Sequence, residues 1–264
     1  TAHIAYTLNN PFYWKLEKML FRFGQSPFEP GIFPAQPYQA GKVPVLFVHG
    51  TAGNPARWAE MWNTLMGDTG LREKCQFWFY LYDSAKPTAQ SAAHLRDCIQ
   101  KTVGEMDPEG KDPMLRQMVV IGHSQGGLLT KLTATQTGEA LVRAATGKTL
   151  AELKLSPKEE QLVRRLAVFE PLPEVKRVIF ISTPHRGSYR AGGLARGLAR
   201  RLLNLPQQAL STTAQLLTLA PRIGPDVKLA STSIDSMSPD NPSSLALAEI
   251  PVTPPIKAHS IIAI

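Results

Sequence analysis

The chain has 264 residues, of which 43% are hydrophobic, and its formal net charge is +8. This length and apolar content fit one large α/β domain or a domain with an inserted cap. No apolar run approaches the length of about 18 residues that a transmembrane helix needs. The basic residues are scattered and carry no nucleic-acid-binding motif. We therefore expect a solvated basic surface, with peripheral contact to an anionic membrane as the alternative.

Two cysteines, Cys75 and Cys98, are too few for a disulfide framework or a thiolate metal site. We expect two isolated thiols in the core, with a single bridge between them as the alternative.

We interpret residues 1–40 as an N-terminal extension rich in aromatic residues and prolines. Residues 11–23 have the pattern of a short amphipathic helix, and residues 27–37 that of an extended or looped connector. The clustered aromatic residues favour packing on the core over membrane anchoring. No signal peptide is recognisable, so the localisation stays open, with membrane association in the cell envelope as one alternative.

From residue 43 onward, strand and helix patterns alternate. Residues 43–48 are a continuous apolar run, which is typical of a strand buried on both faces of a parallel sheet. The other predicted elements are a helix at 56–65, a strand at 76–82, a helix at 88–106, a strand at 117–121, a helix at 126–137, two short helices within 138–174 and a strand at 175–181. This alternation predicts a doubly wound, mostly parallel sheet, and we assign residues 41–188 to this α/β core.

The alternation stops over residues 189–255. Apolar helix patterns at 192–205 and 207–219 are followed by a loop and a short helix near 243–249. We interpret this stretch as a helical cap, which either covers the active-site mouth as a lid or packs on the sheet edge. Residues 256–264 begin the next core strand. We expect the core to continue beyond Ile264, so that this chain is a truncated domain lacking its last strands.

A Gly-x-Ser-x-Gly motif joins the strand at 117–121 to the helix that follows it. Its residues are Gly122-His123-Ser124-Gln125-Gly126. A strand–turn–helix of this kind is so tight that the serine takes strained backbone angles, and the two glycines remove the collisions around it. The motif predicts a nucleophile elbow that exposes Ser124 at the carboxyl edge of the sheet.

Acyl transfer at Ser124 would also need hydrogen-bond donors for the oxyanion of the tetrahedral intermediate. The backbone N–H of Gln125, at the start of the helix, is the first candidate. The second is the backbone N–H of Thr51, because His49-Gly50-Thr51 follows the first core strand and Gly50 lets the chain turn toward the same point. A simple turn at the strand end is the alternative interpretation of this segment.

Together with Ser182-Thr183-Pro184-His185-Arg186-Gly187-Ser188, these motifs resemble those of bacterial triacylglycerol lipases and carboxylesterases of the α/β-hydrolase superfamily. The resemblance covers about residues 43–190, and the last segment is also similar to that of the GPI inositol deacylases. It implies hydrolysis of an ester or lipid substrate through an acyl-enzyme on Ser124. It also implies oxyanion donors at Thr51 and Gln125, and neither a cofactor nor a metal.

The order of the catalytic triad in this fold is Ser, then Asp or Glu, then His. His185 has no Asp between it and Ser124, so it would need Glu170 or Glu174, and we expect it to hold its own loop instead. His259 satisfies the order, but it opens the predicted fifth strand, whereas the catalytic histidine belongs on a loop beyond the final strand.

The candidate acids ahead of His259 all lie in the predicted cap: Asp226, Asp235 and Asp240. The acid of this fold belongs just past a strand instead. We therefore expect the true acid and base to follow Ile264, and we keep His259 with Asp235 or Asp240 as the fallback pair.

Three functions stay open from the sequence. The first is a serine esterase or lipase. The second is a catalytically inactive relative that binds lipids or proteins, and the third is an acyltransferase in which an alcohol replaces water. The sequence specifies neither the acyl-chain length nor the oligomeric state.

Overall fold

The computed structural model describes residues 29–188 and 232–262, and a six-stranded sheet organises them. The helices predicted at 11–23, 192–205 and 207–219 lie outside these ranges, as does Asp226. The strands in chain order are β1 (Gly31–Pro34), β2 (Val43–Val48), β3 (Cys75–Leu81), β4 (Met118–His123), β5 (Val175–Ile181) and β6 (Lys257–Ile261).

The strand order across the sheet is β1-β3-β2-β4-β5-β6. Only β1 is antiparallel to its neighbour, and the five others run parallel. This topology confirms the predicted α/β fold with a mostly parallel sheet. β1 falls where the sequence predicted an extended or looped connector. Its four residues are too few to show a strand period, and pairing with β3 makes them a strand.

Helices cover both faces of the sheet. The helices are α1 (Ala59–Gly67), α2 (Thr69–Lys74), α3 (Thr88–Met106), α4 (Gln125–Lys131), α5 (Ala140–Thr146), α6 (Pro157–Ala167), α7 (Ser233–Ser236) and α8 (Pro242–Glu249). No helix in the described ranges is both long and apolar enough to cross a membrane.

Alternate residues of β2 point into two separate cores, as the two-residue period of a strand requires. Leu46 and Val48 belong to the larger core, together with residues of α3, α4, α6 and α8. Val45 and Phe47 belong to the smaller core, which Trp58 helps to cover. Burial on both faces explains why the sequence of β2 is apolar throughout.

Several predicted elements match the structure residue for residue, namely the strands at 43–48 and 175–181 and the helix at 88–106. A capping box of Ser156 and Glu159 begins α6. Both cysteines are free thiols.

The helix after the Gly-x-Ser-x-Gly motif ends at Lys131, and the prediction that it reaches residue 137 is wrong. A run of threonines follows. The hydroxyl of Thr133 donates to the carbonyl of Thr130, and that of Thr135 to the carbonyl of Lys131. Such side-chain bonds compete with the helical backbone pattern. Thr137 hydrogen-bonds with Phe169 instead, which ties this segment to the chain after α6.

The last part of the predicted cap is described from residue 232 onward. Within it, Leu247 of α8 belongs to the larger core. The ammonium of Lys131, at the end of α4, donates to the carbonyls of Leu247 and Ala248 at 2.6 and 3.2 Å. A cation at a helix C-terminus complements the negative end of the helix dipole. These bonds fasten α8 to the helix that follows the motif.

Candidate active site

The site lies where the chain reverses its direction of winding. From β2 the chain passes to β3 on one side of the sheet, and from β4 it passes to β5 on the other. β2 and β4 are neighbours, and Val48 pairs with Gly122 at their carboxyl ends. The loops that follow them start side by side at this edge of the sheet, which is where open α/β sheets bind ligands.

Ser124 stands at this edge of the sheet in a strained conformation. Its φ is 52° and its ψ is −123°, at the turn between β4 and α4. Its N–H donates to the carbonyl of Ile181 at 2.9 Å, and its own carbonyl accepts from Gly127 at 3.0 Å. A side chain rarely adopts a positive φ of this kind, and such strain clusters at functional sites. The turn therefore holds Ser124 in a conformation that residues with a side chain rarely adopt.

Both glycines of the motif are required by close backbone contact. A Cβ at Gly122 would lie 2.5 Å from the carbonyl oxygen of Gly126. A Cβ at Gly126 would collide with the carbonyls of Val48 and His49. No side chain fits at either position, so α4 can start directly against the end of β2.

The loop after β2 packs against Ser124. A Cβ at Gly50 would lie 3.0 Å from the Cβ of Ser124, which shows how closely the two segments approach. The hydroxyl of Thr51 donates to the side-chain carbonyl of Gln125 at 2.7 Å. Gln125 is fully buried. The structure thus brings together three of the predicted site residues, Ser124, Thr51 and Gln125.

His49 supports this loop as a neutral side chain. Its Nδ1 donates to the carbonyl of Gly50 at 2.9 Å, and its ring stacks on Tyr82 with centroids 4.4 Å apart. The hydroxyl of Tyr82 donates in turn to the carbonyl of His49 at 2.8 Å. Complete burial lowers the pKa of His49 from 6.5 to about 4. The sequence contains no signal that Tyr82 supports His49, because only the pairing of β2 with β3 brings Tyr82 to this loop.

The loop after β5 closes the other side of α4. A Cβ at Gly127 would collide with the side chain of Thr183. The ring of His185 packs edge-on against that of Phe180, with ring centroids 4.8 Å apart. The backbone N–H of His185 donates to the carbonyl of Thr183. Burial, and then the charge of Lys131, lower the pKa of His185. These contacts place His185 within its own loop.

The structure does not bring His259 to Ser124. His259 is exposed on β6 and hydrogen-bonds with Arg177. It pairs with Ile179, which pairs with Ile121, three residues before Ser124. At about 3.3 Å per residue, His259 lies roughly 10 Å behind Ser124 along the sheet and two strands away from it.

The two described candidate acids belong to the segment around α7. The carboxylate of Asp235 accepts hydrogen bonds from the backbone N–H and the hydroxyl of Thr232. These bonds cap the N-terminus of α7, the helix that contains Asp235. Asp240 is exposed in the turn before α8. Within residues 29–188 and 232–262, no three His, Cys, Asp or Glu side chains are grouped so that they could hold a metal ion.

The chain is similar in structure to several lipases and esterases. The mature lipase BlEst2 of Bacillus licheniformis superposes with a TM-score of 0.38 at 17% identity, over 83% of this chain and 70% of that one. The butyrate-bound esterase Est2 of Thermogutta terrifontis superposes with a TM-score of 0.37 at 14% identity, over 83% of this chain and 66% of that one. A structure from work on carboxylesterases of the thaumarchaeon Nitrososphaera gargenis superposes with a TM-score of 0.36 at 14% identity. The match covers 83% of this chain and 69% of that one.

No protein-family model matches the chain, and no curated protein does so either. These similarities in structure are too low to define a function. The resemblance of residues 182–188 to the GPI inositol deacylases stays a prediction.

Proposed function

We propose that this protein is a serine hydrolase of carboxylic esters in which Ser124 is the nucleophile. The observation that carries this proposal is the backbone of Ser124, with φ 52° and ψ −123° between a parallel strand and a helix. An ordinary glycine-rich turn would gain nothing from keeping a serine there, whereas an elbow needs a hydroxyl at that point.

The oxyanion donors in this proposal are the backbone N–H groups of Gln125 and Thr51. Gln125 is the first residue of α4, where helix N–H groups have no partner within the helix. Thr51 supports the assignment because its side chain bonds to Gln125 from the neighbouring loop. Two fixed donors would stabilise the charge that develops on the substrate carbonyl oxygen.

The reaction in this proposal proceeds through an acyl-enzyme. The oxygen of Ser124 attacks the ester carbonyl carbon while a base takes its proton. The tetrahedral intermediate then expels the alcohol, which receives that proton. Water, activated by the same base, attacks the acyl-enzyme, releases the carboxylic acid and restores Ser124.

We further propose that the acid and base follow Ile264 in the sequence. The printed contacts of the five described histidines are hydrogen bonds of His49 with Gly50, His94 with Tyr80 and His259 with Arg177, and ring packing of His123 on Trp58 and His185 on Phe180. None of these contacts is with a serine. An ester or lipid substrate is part of the same proposal, whereas a lid over the site and contact with a membrane surface stay predictions.

Labelling with a fluorophosphonate, read by mass spectrometry, tests the proposal. We expect no label at Ser124 in the chain of 264 residues and a specific label there in a chain extended beyond Ile264. The label should disappear in Ser124→Ala and persist in Ser188→Ala, a serine of the neighbouring loop. A label in the shorter chain would place the base within it. An extended chain that is neither labelled nor active on esters would identify an inactive relative.

A further inference from the structure

Backbone strain is concentrated at the carboxyl edge of the sheet. Within the described ranges, four residues other than glycine have a positive φ, and three of them follow strands at this edge. They are Ala52 after β2 (φ 56°), Ser124 after β4 (φ 52°) and Ser182 after β5 (φ 47°). Such strain persists only where the surrounding structure holds it, and it clusters at functional sites. Ala52 directly follows Thr51, whose N–H is a proposed oxyanion donor.

Ala52 lies in a tight turn that also carries Thr51. The N–H of Gly53 donates to the carbonyl of Gly50 at 3.1 Å, which closes a β-turn of four residues. Of the two central residues, Thr51 and Ala52, only Ala52 has a positive φ. This is the pattern of a type II turn, which needs a positive φ at its third position and therefore favours glycine or asparagine there. An alanine at this position is strained, because its Cβ disfavours the left-handed conformation.

Ser84 holds this turn from the loop after β3. The N–H of Ala52 donates to the hydroxyl oxygen of Ser84 at 3.0 Å. Ser84 is only 6% exposed, so water competes little for this bond. If Ala52 relaxed to a negative φ, the peptide between Thr51 and Ala52 would rotate and its N–H would turn away from Ser84. The bond therefore stabilises the strained conformation of the turn against the relaxed one.

The loop that carries Ser84 is itself fixed. The carboxylate of Asp83 accepts from the N–H of Ala85 at 3.0 Å, which forms an Asx-turn around Ser84. The carbonyl of Ala85 accepts in turn from the N–H of Ser233, at the start of α7, at 3.0 Å. Ser84 therefore presents its hydroxyl to Ala52 from a fixed position.

We propose that Ser84 is a positioning residue for the N–H of Thr51, the proposed oxyanion donor. Its hydroxyl holds Ala52 in the strained turn, and the turn sets the direction of the Thr51 backbone beside Ser124. The two segments approach closely, because a Cβ at Gly50 would lie 3.0 Å from the Cβ of Ser124. Ser84 acts through Ala52 and not by contact with the reacting atoms. The inference rests on the function proposed for Ser124.

Amide hydrogen exchange of Ala52, followed by NMR in the chain of 264 residues, tests the hydrogen bond itself. We expect Ser84→Ala to accelerate this exchange about tenfold or more, since the variant removes the acceptor. Ser91→Ala is the matched control, because Ser91 is also buried but its hydroxyl has no hydrogen-bond partner among the described residues. This control should leave the exchange of Ala52 within about twofold of the original rate. Thermal unfolding shows that each variant is folded.

Steady-state kinetics on a p-nitrophenyl ester, in a chain extended beyond Ile264, test the role of Ser84. We expect Ser84→Ala to lower kcat about tenfold and to change KM less than about twofold, because an oxyanion donor stabilises the transition state more than the bound ester. Adding Ala52→Gly to Ser84→Ala should restore most of the lost kcat, since glycine adopts a positive φ without strain. Ser91→Ala should keep kcat within about twofold. A loss of stability alone would not produce this pattern.

The results that contradict this inference differ from those that contradict the proposed function. Unchanged exchange of Ala52 in Ser84→Ala, or an unchanged kcat of this variant in an active chain, would overturn the role of Ser84 alone. A loss of kcat that Ala52→Gly does not restore would make Ser84 a purely structural residue. An extended chain without ester turnover, or one whose turnover survives Ser124→Ala, would overturn the proposed function and this inference together.

Discussion

The hydroxyl of Thr51 hydrogen-bonds to the side-chain carbonyl of Gln125 at 2.7 Å, across 74 positions of the sequence. This bond joins the loop after β2 to the first residue of α4. The sheet pairs Val48 with Gly122, so the two loops start side by side, but strand pairing ends there. The side-chain bond therefore fixes the relative position of two backbone N–H groups beyond the end of the ladder.

Removing the hydroxyl of Thr51 should impair catalysis more than it impairs folding. Thr51→Val keeps the shape of the side chain and loses the bond to Gln125. We expect a loss of about 1 kcal/mol in the free energy of unfolding. In an active, extended chain we expect kcat/KM for an ester to fall about tenfold or more, because the N–H groups proposed as oxyanion donors lose their alignment. Thr51→Ser keeps the hydroxyl and should retain most of the activity; equal losses in both variants would contradict this role.

The backbone strain at Ser124 should be measurable as stability. Alanine at this position keeps a Cβ in the strained conformation, whereas glycine tolerates a positive φ. Ser124→Gly should therefore be more stable than Ser124→Ala by on the order of 1 kcal/mol, even though glycine gains entropy in the unfolded chain. Denaturation by urea measures the difference. If the alanine variant is the more stable of the two, the turn is not strained as described.

Two glycines on helices should respond to alanine in opposite ways. Gly126→Ala forces a Cβ into the carbonyls at the end of β2, and we expect it to destabilise the fold by about 3 kcal/mol. Gly104 lies in α3 with open space around it, so Gly104→Ala should stabilise the protein by about 0.5–1 kcal/mol. Melting temperatures of the two variants compare these effects. Similar behaviour of both would exclude the close packing of α4 on β2.

The buried His49 should make stability depend on pH. Its pKa falls from 6.5 in the unfolded chain to about 4 in the folded one. Between these values the unfolded chain binds more protons, so stability decreases as the pH falls from 6.5 and reaches its full loss below 4. At 1.36 kcal/mol per pH unit, the loss is about 3 kcal/mol.

Urea denaturation at several pH values would measure this slope. His49→Gln should flatten the slope in part, because His94, His123 and His185 also have lowered pKa values and act in the same direction. A His49 ring that titrates near 6.5 in the folded protein would rule out this contribution.

The sequence by itself determined the order and type of most elements and the position of Ser124. Local signals were sufficient for this. β2 and β5 are continuous apolar runs, α3 has apolar residues at helical spacing, and the glycines around Ser124 mark a turn that few other residues could form. The helical apolar pattern overestimates the length of α4, because it does not reveal the side-chain bonds that the threonines after Lys131 form.

Only the tertiary structure decided which distant residues meet. The winding of the sheet places Gly50 beside Ser124 and brings Tyr82 under His49. It also leaves His259 behind the site on β6. Such contacts follow from strand order, and a periodic pattern in the sequence specifies a strand but not its neighbours in the sheet.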